Sequence, residues 1–123
     1  MPKAATPART VRMWLLVVMT LAIVAQFYFA GRGVFGASSF ETHKTFGHVL
    51  EGLALLIVLA SAVPKELRNP IDGGLPVLLL VLVFVQTFLA DAKNPDVEAF
   101  HPVNAIVITV ITLALLGRDR RGP

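Results

Sequence analysis

The chain has three histidines, His43, His48 and His101, and no cysteine. Imidazole nitrogen is a good ligand for haem iron. The lack of thiols excludes iron–sulfur ligation, a zinc–thiolate site, structural disulfides and the covalent attachment of a c-type haem. A haem bound here must be held noncovalently, by imidazoles aimed at the iron from opposite sides. His43 stands near the start of the stretch FETHKTFGHVLEG, which opens the second long apolar run, and His101 opens the fourth run in HPVN. One helical turn further on, His43 is followed by Gly47 and His101 by Ala105, small residues that leave room for a flat macrocycle. The expectation is a b-type haem with His43 and His101 as its axial, metal-ligating pair.

The other polar residues in or beside the apolar runs have several uses. His48, five residues after His43, is turned about 140° around a helix and set about 7.5 Å deeper, so it does not readily chelate the same metal. It borders the macrocycle, replaces His43 as ligand, or hydrogen-bonds to a neighbouring helix. Gln26, Gln86 and Asn104 are amides that either orient the ligating histidines or join helices. Arg32, Lys44 and Lys93, in or beside the outer loops, are candidates for the haem propionates, against ordinary solvation. Glu51 lies about 12 Å beyond His43, where it should face the bundle interior or pair with a polar group, with a proton relay as the functional alternative. Zinc held by His43, His48, His101 and a loop carboxylate is a further option, although zinc histidines on one helix usually sit at i and i+4. No nucleophile–base motif, phosphate loop or dinucleotide fingerprint is present.

The elements that must position these residues are helices in a bilayer. Of 123 residues, 55% are hydrophobic and 15% charged, against about a quarter charged in soluble chains; the mean hydropathy is +0.72. The apolar residues gather into four runs, which predict helices at about 13–30, 43–63, 75–90 and 102–117. At about 1.5 Å per residue each spans most or all of a hydrocarbon core. The shorter third and fourth runs are expected to extend into flanking polar residues. The first run is longer than the apolar core of a signal peptide and is expected to be retained. Residues 1–12 and 118–123 are predicted to be basic tails, the first disordered. Pro76 and Pro102 are expected in the first turns of the third and fourth helices, where a missing N–H costs little. Pro64 to Gly74 reads as the inner turn.

Eight of the eleven Lys and Arg residues precede the first run, follow the last, or lie between the second and third. Both termini are therefore expected to be cytoplasmic, in a multi-pass protein of the cell membrane. The net charge of +3 is largely this bias, and no basic stripe interleaved with aromatics suggests nucleic acid.

The two halves echo each other. Gln26 to Ala30 ends the first run as Gln86 to Ala90 ends the third, and each is followed by an outer loop and then a histidine. The fold expected is an all-α integral membrane four-helix bundle of two tandem hairpins, related by an axis along the membrane normal. His43 and His101 then lie at matched depth.

The pattern Gln-x-x-x-Ala, outer loop, His at the head of the next helix resembles one four-helix half of haem A synthase. It is similar also to a group of uncharacterised small bacterial four-helix membrane proteins with GH in the second helix and HPVN-like residues in the fourth. The resemblance covers Gln26 to the end of the fourth helix. It implies that His43 and His101 are an axial pair. The sequence departs from the synthase in placing Glu41 two rather than three residues before His43, in having Lys44 after it, and in having one bundle rather than two.

The leading expectation is a haem b protein of the bilayer, working in electron transfer with a redox partner protein or in haem handling. The alternative is a small cofactor-free interaction or scaffold protein. A third reading is a haem-modifying enzyme formed by a homodimer.

Overall fold

The computed structural model describes residues 4–122. The chain forms α1 (Pro7–Val34), α2 (Glu41–Ala62), α3 (Pro70–Ala90), the single turn α4 (Pro95–Glu98) and α5 (Phe100–Arg121). A 3-10 turn, Lys65–Leu67, lies between α2 and α3. Four helical segments are long and apolar enough to cross a membrane: α1, α2, α3, and α4 joined to α5. They pack as an up-down-up-down bundle, in which α1 and α3 each touch both α2 and α5. Helices α2 and α5 therefore face each other across a diagonal, and both ends of the chain lie at one end of the bundle. The molecule is an all-α, multi-pass membrane protein.

The helix ends differ from those predicted by hydropathy because caps set them. Thr6 accepts a hydrogen bond from the Arg9 N–H, with Pro7 in the first turn, so α1 starts well before the apolar run. Residues 7–12 are thus helical rather than part of a disordered tail, and residues 1–3 lie outside the described ones. At the other end α5 continues through Arg121. Asn69 accepts from the N–H groups of Ile71 and Asp72, so α3 starts at Pro70 and runs on through Gly73 and Gly74. Pro76 is therefore buried inside α3, not in its first turn. Arg68 reaches back to the carbonyls of Ala62 and Val63 and closes the C-terminus of α2.

The core is an apolar band in the middle of the bundle: Leu16, Met19 and Ile23 of α1, Ala54 and Ile57 of α2, Leu79 and Val83 of α3, and Ile108, Ile111 and Leu115 of α5. The outward faces of α1, α3 and α5 carry large apolar side chains such as Val18, Leu21, Val81, Phe84, Ile106 and Val110. Such a surface suits lipid and would be unfavourable in water. With lipid outside and apolar packing inside, the polar groups that join the helices sit at the two ends of this band.

Candidate functional site: a histidine pair at the outer end

At the end of the bundle away from both termini, the imidazoles of His43 and His101 meet across the α2–α5 diagonal, with ring centroids 5.9 Å apart and planes at 70°. Each ring is fixed the same way. His43 Nδ1 lies 3.2 Å from the main-chain carbonyl of Gln26 on α1, and His101 Nδ1 lies 3.0 Å from that of Gln86 on α3. A carbonyl only accepts, so Nδ1 carries the hydrogen in both rings and Nε2 keeps the lone pair. This is the tautomer and the backbone anchor that metal-bound histidines typically use.

The amides complete the frame unequally. Gln26 Nε2 donates to the His43 carbonyl at 2.8 Å, tying α1 to α2 a second time. Asn104 Nδ2 donates to the Leu82 carbonyl and to Gln86 Oε1, each at 2.8 Å. The residue at the matching position after His43 is Phe46, which packs edge-on against Phe29 and offers no donor. Gln26 Oε1 is consequently buried with no hydrogen-bond partner among the described residues. Gly47 faces this amide: a Cβ there would stand 3.5 Å from Gln26 Nε2.

The pair has the donor set that haem iron takes. A metal–imidazole bond of about 2 Å on either side places two ring centroids about 6 Å apart, close to the observed separation. Rings on a common axis can be rotated about it, so the 70° between planes is compatible with shared ligation. The residues present supply two imidazole donors at a separation compatible with ligation of one metal between them.

The remaining candidates are placed apart from the pair. His48 is on the outward face of α2 with its side chain 73% exposed, and its Nδ1 contacts Glu51 at 3.0 Å. It does not join His43 and His101, and Glu51 turns to His48 and Thr87 rather than into the bundle interior. Among the described residues no group of three His, Cys, Asp or Glu side chains is assembled for a metal, so the zinc alternative lacks its ligands. Arg32, Lys44 and Lys93 are exposed, and Lys93 adopts a left-handed conformation at φ 54°.

At the end of the bundle that holds both termini, with no announcement in the sequence, an ionic cluster joins all four spans. Arg12 is completely buried. Its Nε donates to Asp119 Oδ2 at 2.8 Å; Nη2 donates to Asp119 Oδ1 at 2.6 Å and to Asp72 Oδ1 at 2.8 Å. Its Nη1 donates to Ser61 Oγ and to the Asp72 carbonyl. All five donors of the guanidinium are therefore satisfied. Arg9 bridges the same two carboxylates, and Arg118 and Asn69 complete the shell of Asp72. Pro76 has a part in this. Lacking an N–H, it cannot occupy the Asp72 carbonyl four residues back, and Arg12 takes that acceptor instead.

A lipid-facing four-helix bundle, closed by ions at one end and carrying an anchored imidazole pair at the other, defines the class: a small multi-pass membrane protein. The chain belongs to a family of unknown function, DUF6220, whose profile matches residues 26–93, more than half of its length. That span includes Gln26, His43 and Gln86, and stops short of His101. No curated protein and no solved structure matches the chain.

Proposed function

We propose that this protein holds one b-type haem between His43 and His101 near the outer face of the cell membrane, and serves electron transfer or haem handling. The observation that carries the proposal is the meeting of two imidazoles, each with Nδ1 spent on the carbonyl of a glutamine in the preceding helix and Nε2 left to ligate. Haem in such a site supplies a one-electron couple. The chain's own residues set its conditions: the carbonyl bonds hold both rings in one tautomer and strengthen them as ligands. The apolar band of Leu16, Ile57, Leu79 and Ile108 closes the bundle beneath the pair. If both rings ligate the iron, His43 and His101 would leave it no open position for a small ligand, which favours electron transfer over oxygen chemistry at that iron. The sequence pattern that resembles half of haem A synthase implies the same two ligands.

The eight-to-three distribution of Lys and Arg supports an orientation with both termini in the cytoplasm. The histidine pair would then lie toward the opposite face.

The test is the visible spectrum of protein purified in detergent after expression with ample haem. The proposal expects reduced-minus-oxidised bands of a bis-imidazole b-type haem. A spectrum without them would favour the cofactor-free scaffold, in which the same hydrogen bonds serve only to join helices.

A further inference from the structure

We infer that the outward face of α2, centred on His48, Glu51 and Gly52, is the contact between two copies of this chain in the membrane. The inference goes beyond haem binding and does not depend on it.

The lipid faces of the four spans are not alike. Those of α1, α3 and α5 are apolar along their length, as at Val18, Leu21, Val81, Phe84, Ile106 and Val110. On α2 the face opposite the buried residues Ala54 and Ile57 reads instead Thr45, His48, Gly52 over its outer half, all exposed. Glu51 is at the middle of this 22-residue helix. An ionisable pair at such depth normally faces a bundle interior, a water-filled cavity or another helix. Here Glu51 turns to Thr87 of α3, but His48 beside it, with its side chain 73% exposed, faces none of these within one chain.

The chemistry of the face selects a second copy as its occupant, because it carries both halves of a polar contact. Glu51 is satisfied within the chain: Oε2 pairs with His48 Nδ1, and Oε1 accepts from Thr87 Oγ1, both at 3.0 Å. His48 Nδ1 facing a carboxylate donates, so in the neutral ring Nε2 is an acceptor. Among the described residues that nitrogen has no partner, and neither has the hydroxyl of Thr45, a donor one turn away on the same pole. A twofold axis beside α2 would set His48 of each copy against Thr45 of the other, the self-complementary pattern of an isologous contact. Gly52, with nothing within 4 Å of where a Cβ would stand, allows close approach of the two backbones, as small residues do between membrane helices.

The chain has no cysteine, so single cysteines report contacts without background. Full-length Gly52→Cys and Thr45→Cys variants, oxidised in membranes, are expected to give a covalent dimer of twice the chain mass. Val110→Cys, on the outward face of α5, is expected to give little. Equal cross-linking at Val110, or none at either α2 position, would overturn the inference. A cross-linked product in native membranes that contains a different protein, with no dimer from the purified chain, would overturn it in favour of another partner. Replacing the two groups offered to the second copy, His48→Leu with Thr45→Val, should weaken dimerisation by about tenfold, while Glu51 keeps its contact with Thr87 of α3. An undiminished dimer in that variant would also contradict the inference.

Discussion

Arg12 and Asp119 stand 107 residues apart in the chain, and Arg12 Nη2 donates to Asp119 Oδ1 at 2.6 Å. The contact joins the first turns of α1 to the last turn of α5, and with Asp72 it gathers the terminal end of the bundle around one guanidinium. Neither charge is exposed to water, so each is tolerated only because the other is present.

Removing Arg12 should therefore be costly. Arg12→Ala leaves two buried carboxylates short of their main partner and is expected to destabilise the protein by about 3–5 kcal/mol. Arg12→Lys should recover only part of this, since an ammonium has three donors and cannot reproduce the planar fork. Thermal unfolding in detergent checks both, and equal midpoints for wild type and Arg12→Ala would show that the cluster contributes nothing.

This cluster was not legible in the sequence, whereas the spans and the imidazole pair were. The four apolar runs are long enough to require helices, and the repeat of glutamine, loop and histidine put His43 and His101 at one depth. Arg9, Arg12 and Arg118 carried a competing explanation, the topogenic bias of basic residues, which needs no partner. Asp72 and Asp119 lie just outside the hydropathic runs; the Asn69 cap lengthens α3 to include Asp72, and α5 continues through Arg121 to include Asp119. Pro76 misled for the same reason: with Gly73 and Gly74 before it, it resembles a helix start, but the Asn69 cap begins the helix earlier. The spacing puts His48 and Glu51 on one helix, but it does not say that His48 faces outward while Glu51 turns to Thr87 of α3.

Gly33 supports the site from a distance. A Cβ there would come within 2.5 Å of the Phe40 ring, and Phe40 in turn packs edge-on against His43, with centroids 6.4 Å apart. Gly33→Ala must displace the Phe40 ring, which is exposed and can give way at modest cost, and should loosen His43. Gly47→Ala meets only an ordinary contact with Gln26 and should stay within about 1 kcal/mol of wild type. Thermal unfolding of the two variants side by side tests the contrast; a larger loss for Gly47→Ala would reverse the assignment.

Asn104 should matter more than Gln26 as a side chain, although both histidines are anchored by main-chain carbonyls. Asn104 donates to both the Leu82 carbonyl and Gln86 Oε1, so Asn104→Leu leaves two acceptors at the α3–α5 contact without their donor and is expected to cost about 1–2 kcal/mol. Gln26→Leu removes one hydrogen bond and also the buried acceptor that has no partner, and is expected to cost less. Comparing the two melting curves decides the order.

Orientation has its own test. Reporter fusions after residue 122 and within the Lys65–Leu67 turn should both report the cytoplasm, and a fusion in the loop between α1 and α2 should report the opposite side. The reverse pattern would place the histidine pair at the cytoplasmic face.

The most direct measurement is a titration of purified apo-protein with haem, followed by visible absorbance, in wild type and in the single variants His43→Ala, His101→Ala and His48→Ala. One haem per chain is expected for wild type and for His48→Ala, with the bis-imidazole spectrum lost in His43→Ala and in His101→Ala. Saturable binding with an unchanged spectrum in either of those two, or none in wild type, would contradict ligation by this pair.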